Sequence, residues 1–310
     1  MTTSNATTTP QAAPATPATP APITFGTDGW RALIGTDFNT ATVARVAEAA
    51  ARVFRAQNPL PTPAPSVPNT IVIGYDTRAD AGKYAALVAT ILASHDFDVV
   101  LSNAYCPTPT LCRTIARDPA AVGGIMLTSS HNPAQWLGIK LRMADGGASP
   151  ASFTDKVEAA LASGLPSAYE QALANFNAAA NGTGEAPAPS LPSAPHIRFA
   201  NLMTPYLDDL AQQVDAQAIA AAKLRVVVDP LYGAGRLYLA SVLRKLGVEV
   251  VEVNNAADPT FDGLHPEPIL PWVERGAAKV RELGYDACFV TDGDADRIGA
   301  VDAQGSFVNP

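Results

Sequence analysis

The sequence has 310 residues, 47% hydrophobic and 16% charged, a length and apolar content that suit two globular domains. Its formal net charge of −8 and pI of about 5.0 argue against a nucleic-acid or anionic-membrane partner, because both bind basic surfaces. The three cysteines include no CxxC pair, so they favour a reducing, cytoplasmic compartment over a disulfide framework or a zinc site.

Three segments rich in proline and small residues divide the chain. Residues 1–22 are mostly Thr, Ala and Pro, and they lack the basic start and apolar centre of a secretory signal. We predict that they form a disordered tail. Residues 58–69 indicate a loop between a helix and a strand. Residues 181–195 indicate a linker between a first domain, 23–180, and a second, 196–310.

Short β-branched runs alternate with stretches of helical spacing between these segments. The first domain is predicted to contain, in chain order, a strand at 70–74, a helix at 83–95, a strand at 97–101, a helix at 109–117, a strand at 122–127 and a helix at 152–161. The second is predicted to contain a helical region at 197–223, a strand at 224–228, the turn DPLYGAG, a helix ending near 246, a strand at 248–253, a helix at 272–283, a strand at 287–290 and a hairpin of 298–301 with 305–308.

This alternation predicts an α/β fold of two mixed α/β/α-layer domains with mainly parallel sheets. No run of about 20 apolar residues is present, so we expect no membrane-spanning helix.

The strongest local signal is an acidic turn that follows the strand at 287–290. Asp292, Asp294 and Asp296 alternate with small residues, and clustered carboxylate oxygens are the ligands that Mg²⁺ or Ca²⁺ needs. Arg297 and Ala303 stand where an EF-hand loop requires glycine and glutamate, which excludes that motif. A solvated acidic turn without a metal is the alternative for this pattern alone.

Two further motifs combine glycine or small polar residues with candidate catalytic groups. In GGIMLTSSHNP, residues 123–133, a predicted strand runs into a turn that holds Ser130 and His131. This pattern more commonly marks a structural turn whose histidine is hydrogen-bonded to neighbouring groups. In TFGTDGWRALIG, residues 24–35, glycines and Arg31 could bind a phosphate, and a tight hairpin without a ligand is the alternative.

The combination of motifs closely resembles the α-D-phosphohexomutase family (phosphoglucomutase and phosphomannomutase). FGTDGWR, TSSHNP, LGIK, DPLYGAG and DGDADRIG occur in this order, and the resemblance runs from about residue 23 to the end. It implies domains one and two of that family. The family's third and fourth domains carry sugar-binding and phosphate-binding loops that we do not find, so we interpret the chain as truncated before them.

The resemblance implies a role for each matching residue. Ser130 would carry a phosphate, and Ser130 together with the three aspartates of the DGDADR motif would hold one Mg²⁺. His131 would position the phosphoryl group or assist proton transfer. Lys140, of the LGIK motif, would be the general acid/base, which would require a lowered pKa. Arg31, Arg297 and Lys140 would offset the negative charge of the phosphates.

The implied reaction exchanges hexose 1-phosphate and hexose 6-phosphate through a bisphosphorylated sugar, with glucose 1,6-bisphosphate as activator. Glucose is the first expectation and mannose the second. Glucosamine phosphate is less expected, because those mutases differ in the serine and sugar loops.

Three alternatives stay open from the sequence. Ser129 precedes Ser130 where the family commonly has alanine, so it competes as phosphoacceptor. The strand leading into Asp292 also suits a phosphatase that forms an aspartyl phosphate. The chain could also be a fragment that binds a metal or a sugar phosphate without turnover.

Overall fold

The computed structural model describes residues 22–59, 69–163, 170, 173–174 and 196–308. They form two mixed sheets, each with helices packed on both faces. Within these ranges no helix combines the length and the apolar character needed to cross a membrane.

The first sheet has six strands in the order β1-β5-β4-β2-β3-β6. Its strands are β1 Trp30–Leu33, β2 Thr70–Tyr75, β3 Asp98–Ser102, β4 Ala121–Leu127, β5 Trp136–Met143 and β6 Ile197–Ala200. Strands β2, β3, β4 and β6 run parallel. At one edge β5 pairs antiparallel with β4, and β1 pairs antiparallel with β5. Its helices are α1 Thr40–Gln57, α2 Ala81–Ala93, α3 Thr108–Arg117 and α4 Ala151–Ala162. Helices α1, α2 and α4 pack on one face and α3 on the other.

The second sheet has five strands in the order β11-β10-β9-β7-β8. They are β7 Arg225–Asp229, β8 Glu249–Glu252, β9 Ala287–Thr291, β10 Ile298–Asp302 and β11 Phe307–Val308, with β7, β8 and β9 parallel. The helices of this half are α5 Met203–Ala211, α6 Ala216–Ala222, α7 Tyr238–Lys245 and α8 Glu274–Leu283. Helix α5 contacts both α3 and α7, so it joins the two halves of the molecule.

The predicted fold class is confirmed, and most predicted strands and helices lie within about two residues of the observed ones. The prediction of a helical region from 197 to 223 is wrong at its start. Residues Ile197–Ala200 form β6, which pairs with β3. This short strand is not buried on either side, so it lacks the apolar run that marks a core strand.

Several segmental predictions fall outside the described residues. These are nearly all of the tail at 1–22, most of the loop at 58–69, and the linker at 181–195. The domain division at 196 stays a prediction. Strand β6 follows the predicted linker yet belongs to the first sheet.

Asp229 makes the stability of the second half depend on pH. Its side chain lies fully buried at the end of β7 and accepts hydrogen bonds from the Leu231 N–H (2.9 Å) and from Asn254 Nδ2. Burial raises the pKa of Asp229 to about 6. Because the folded state then holds a proton that the unfolded state has lost, stability falls as pH rises from about 4 to 6.

We therefore expect the free energy of unfolding of the wild type, measured against that of Asp229→Asn, to fall by about 2 kcal/mol between pH 4 and pH 7. Urea denaturation at several pH values measures this difference. Asp37→Asn, which removes an exposed carboxylate, should follow the wild type in parallel. Parallel curves for Asp229→Asn as well would contradict the assignment.

Candidate functional site

The serine loop, residues 128–135, connects β4 to β5 and presents Ser130 towards the second half of the molecule. Ser130 is buried and has φ of 53°, a left-handed conformation that turns the chain sharply just after the strand. Its N–H donates to Thr128 Oγ1 at 2.9 Å. Its hydroxyl donates to Asp292 Oδ2 at 3.0 Å, and His131 Nδ1 lies 3.4 Å from the same oxygen. The loop thus delivers a serine hydroxyl directly to the acidic turn.

Arg78, three residues beyond the end of β2, holds the serine loop in place. The guanidinium is buried, and its Nε donates to Asp76 Oδ2 at 3.0 Å. Its two terminal nitrogens donate to four backbone carbonyls at 2.6–3.0 Å, those of Ser130, Asn132 and Pro133 in the loop and of Trp136 at the start of β5. All five N–H groups of the guanidinium are therefore used, three of them on carbonyls of this loop.

The acidic loop, residues 292–297, connects β9 to β10. Asp292 Oδ1 accepts hydrogen bonds from the backbone N–H groups of Asp296 (3.0 Å) and Arg297 (3.1 Å). These bonds close the turn around Asp292, its first residue. Gly293 lies against the serine loop, where a Cβ would stand 2.3 Å from the Ser130 carbonyl oxygen. Any larger residue at Gly293 would push the two loops apart.

Lys140 on β5 binds three carboxylates at once. Its Nζ lies 2.8 Å from Asp28 Oδ2, 2.8 Å from Asp294 Oδ2 and 2.9 Å from Asp296 Oδ2. Asp28 also pairs with Arg142, two residues along the same strand, at 2.7 Å. The alternation of β5 places Lys140 and Arg142 on one face, so Asp28 of the FGTDGWR motif is tied to both cations.

The three aspartates suit a hard divalent cation. Each offers a carboxylate oxygen, and these oxygens lie within 4.8 Å of one another. Asp294 Oδ2 is bound by Lys140 and by the Thr108 hydroxyl, whereas Asp294 Oδ1 is buried and has no hydrogen-bond partner among the described residues. A buried, unsatisfied carboxylate oxygen is costly, and metal coordination would satisfy it.

Burial and neighbouring charges shift the pKa values of this cluster. Burial, reinforced by the other two aspartates, raises the pKa of Asp292. Burial opposes ionisation of Asp294 as well, but contacts with Lys140 and Thr108 outweigh it and hold the pKa of Asp294 below its ordinary value. Burial, with repulsion from Arg297 and Arg31, lowers the pKa of His131, so its ring is neutral near pH 7.

The pKa of Lys140 shifts in the direction opposite to the one expected of a general base. Burial acts to lower it, but the attraction of Asp294, Asp296 and Asp28 is larger in sum and raises the pKa of Lys140 above its ordinary value. The general acid/base role that the family resemblance implies requires a lowered pKa for Lys140. The structure instead holds this lysine in its charged form.

The remaining predicted residues lie around the same centre. Arg31 is on β1 opposite Gly138 of β5 and is half-buried, with a buried Nε that has no partner in the described part of the chain. The Arg297 guanidinium is about half exposed, 3.7 Å from Glu267. The structure therefore brings all eight predicted site residues to one region where the two halves meet.

Sequence reasoning missed four residues that shape this region: Asp28, Asp76, Arg78 and Thr108. The run YDTR directly after the predicted strand at 70–74 was the available signal for Asp76 and Arg78, because polar residues at the carboxyl end of a parallel strand commonly border a site. Thr108 opens a helix distant in sequence from the acidic loop and gave no local signal. Asp28 lies inside the FGTDGWR motif, but that motif indicated no role for it.

In this fold the strand ends of the two halves bring a buried serine next to three carboxylates that could hold a cation. Such an arrangement suits phosphoryl-group chemistry. The model of phosphoglucomutase/phosphomannomutase α/β/α domain I matches residues 22–166, and that of domain II matches residues 204–305. The chain belongs to this family, the α-D-phosphohexomutases.

Individual relatives agree. A phosphoglucosamine mutase of Gloeothece citriformis is 30% identical over 285 residues, which cover 92% of this chain and 53% of the relative. A phosphoglucomutase/phosphomannomutase of Thermococcus kodakarensis is 31% identical over 238 residues, 77% of this chain and 47% of the relative. The crystal structure of a Thermus thermophilus protein assigned as a phosphomannomutase has a TM-score of 0.77 and 31% identity, covering 94% of this chain and 60% of that one. The chain thus spans about half the length of the curated relatives it matches.

Asp294→Asn tests the metal site with little change of shape. We expect the affinity for Mg²⁺ to fall by about tenfold to a hundredfold. A neutral amide then replaces a charged ligand, and its weaker attraction for the cation does not offset the cost of its desolvation. Titration calorimetry with Mg²⁺, or Mn²⁺ binding followed by electron paramagnetic resonance, measures the change. Asp145→Asn, an exposed carboxylate outside the loop, serves as the matched control and should bind as the wild type does. Equal affinities in the two variants would contradict this site.

Proposed function

We propose that this chain provides the phosphoserine and metal-binding part of a magnesium-dependent phosphohexomutase that interconverts hexose 1-phosphate and hexose 6-phosphate. The observation that carries the proposal is the position of the Ser130 hydroxyl, 3.0 Å from Asp292 at the junction of the serine and acidic loops. A bound Mg²⁺ would neutralise charge on the phosphoryl oxygens, and Ser130, Asp292, Asp294 and Asp296 are the residues that would hold it.

The chain's own residues suit a two-way phosphoryl transfer. The bond between phosphorus and Ser130 Oγ breaks as a sugar hydroxyl oxygen forms a new bond to phosphorus. The proton that the sugar hydroxyl loses is balanced by the one that Ser130 Oγ gains, which restores the serine hydroxyl for the next phosphorylation. A neutral His131 beside Ser130 can accept or return the proton of the serine hydroxyl. Arg31 and Arg297 flank this position, and their fixed positive charges would bind the phosphoryl oxygens.

Lys140 fits one half of the acid/base role that the family resemblance implies. As a charged ammonium it can donate a proton or a hydrogen bond to a departing sugar oxygen. To act as a base it would first have to lose one of its three carboxylate contacts. Asp294 and Asp296, which make two of these contacts, are also among the residues that would hold the Mg²⁺.

The sugar is the finer part of the proposal. We infer glucose phosphate as the substrate, with mannose phosphate as second choice, from the resemblance of the motifs. The relatives divide between phosphoglucosamine mutases and phosphoglucomutase/phosphomannomutases at nearly equal identity, which favours glucosamine phosphate as a competing substrate more than the motifs alone do. A panel of the three 1-phosphates, assayed with the full-length gene product, distinguishes these substrates by kcat/KM.

The phosphatase alternative is less well supported by the geometry around Asp292. One carboxylate oxygen accepts two backbone N–H groups and the other already accepts the Ser130 hydroxyl, so an attack of Asp292 on phosphorus would have to compete with these hydrogen bonds. The non-catalytic alternative predicts Mg²⁺ binding with no phosphorylation of Ser130.

The test is phosphopeptide mass spectrometry of the purified chain before and after incubation with Mg²⁺ and glucose 1,6-bisphosphate. Phosphorylation of Ser130 by the bisphosphate is one half of the reaction and requires only transfer to the serine. It can therefore be tested on a chain that spans about half the length of its relatives. We expect a phosphate on the peptide containing Ser130. A base-labile phosphate on Asp292 would favour the phosphatase, and a bare serine both here and in the full-length gene product would refute the mutase mechanism.

A further inference from the structure

A cavity of about 270 Å³ lies on the face of the first sheet that α3 and α5 cover, and no residue of the serine or acidic loop lines it. Its floor is a row of residues on adjacent parallel strands. Val72 pairs with Val100, and Val100 pairs with Arg198, so the three side chains project from the same face of the sheet. Tyr206 of α5 forms part of the wall. The floor is therefore apolar at the centre and cationic at the edge strand.

The mouth of the cavity carries an excess of positive charge. Arg113 and Arg117, one turn apart on α3, both place Nε 3.0 Å from the same oxygen of Asp209 on α5. Their side chains remain 39% and 56% exposed, so the outer N–H groups of both guanidiniums are open to solvent. With Arg198 and Asp118, the lining holds three guanidiniums against two carboxylates.

We propose that this cavity is a binding site for a small amphipathic anion, a compact ring compound that bears one phosphate or carboxylate group. The volume is at the lower end of ligand pockets, which begin near about 300 Å³, so the ligand is smaller than a typical drug. Val72 and Val100 are themselves covered by protein, so the ring would lie above them against Ala200 and Tyr206, and its anionic group would bind the outer N–H groups of Arg113 and Arg117. Guanidinium pairs bind such oxyanions in bidentate fashion, which gives the site its preference for charge.

The experiment follows the methyl resonances of Val72 and Val100 in the full 310-residue chain by nuclear magnetic resonance. Phenyl phosphate and benzoate are the two anionic probes, and phenol is the uncharged match. We expect saturable shifts of both valines with at least one anion, and at least about tenfold weaker binding of phenol, because the charged contacts are missing. Which anion binds more tightly identifies the oxyanion that the site prefers.

Variants separate this site from the serine and acidic loops. Arg113→Gln combined with Arg117→Gln should weaken the anion at least about tenfold, and Arg198→Gln, at an exposed edge position that tolerates substitution, should weaken it severalfold. Arg281→Gln is the matched control and should bind as the wild type does. The proposal is overturned if no saturable shift occurs at Val72 and Val100, if phenol binds equally well, or if affinity is unchanged in both arginine variants. In those cases the arginines only link α3 to α5.

Discussion

Ser130→Ala is expected to abolish phosphorylation of the chain and to lower mutase turnover of the full-length gene product by at least about a thousandfold. Removal of a nucleophile eliminates the covalent route, and what activity remains depends on binding and electrostatics alone. The Ser130 hydroxyl is the one that contacts both Asp292 and His131. Mass spectrometry after incubation with glucose 1,6-bisphosphate, together with a coupled assay, measures both effects.

Ser129→Ala provides the matched control, since it removes the neighbouring hydroxyl that competes as phosphoacceptor. Ser129 Oγ is buried and has no hydrogen-bond partner among the described residues, so it lacks the carboxylate and imidazole that surround Ser130. We expect Ser129→Ala to be phosphorylated as the wild type is. Full labelling of Ser130→Ala with loss of labelling in Ser129→Ala would show that the two serines have been assigned in the wrong order.

Arg78→Ala is expected to lower the free energy of unfolding by about 3–5 kcal/mol and to prevent phosphorylation of Ser130. The substitution leaves Asp76 as an uncompensated buried charge and frees three carbonyls of the serine loop, and that of Trp136 at the start of β5, from their donor. Burial alone already raises the pKa of Asp76, and loss of the guanidinium would raise it further. Urea denaturation measures the stability, and labelling under native conditions measures the function of the loop.

Two comparisons make this result specific to the loop. Arg281→Ala removes an exposed arginine paired with Glu274 and should cost no more than about 1 kcal/mol. Arg78→Lys keeps the charge beside Asp76 but offers three donors instead of five, so it should recover stability in part and phosphorylation poorly. If Arg78→Lys were phosphorylated at the wild-type rate, the carbonyl contacts of the guanidinium would not be what positions Ser130.

The sequence predicted the residues that could react better than it predicted the residues that hold them in place. Ser130, His131 and the three aspartates occur in short motifs directly after apolar strands, and strand ends are where open α/β sheets place their sites. Arg78 and Thr108 could not be predicted in this way. Each acts on a loop more than 50 residues away, and only the packing of β2 beside β4 and of α3 against the acidic loop brings them into contact.

The same contrast applies to the fold. Local hydrophobic periodicity determined the α/β class and located the buried strands, because a strand such as β2 is apolar throughout. Strand β5 was missed, although Leu137, Ile139 and Leu141 alternate with polar or small residues as in an amphipathic strand. Its polar side chains, Lys140 and Arg142, are buried because they pair with carboxylates from other segments. Periodicity also predicted a helix where β6 lies. This segment is a strand only because it pairs with the open edge of β3.

The sequence by itself therefore determined the family, the fold class and the groups that could react. Tertiary structure decided which carboxylates surround Lys140, how Arg78 holds the serine loop, and where the arginine-rimmed cavity between α3 and α5 forms. Each of these depends on distances between residues far apart in the chain. Electrostatic energy and desolvation depend on those distances and on burial, and neither can be read from the order of residues.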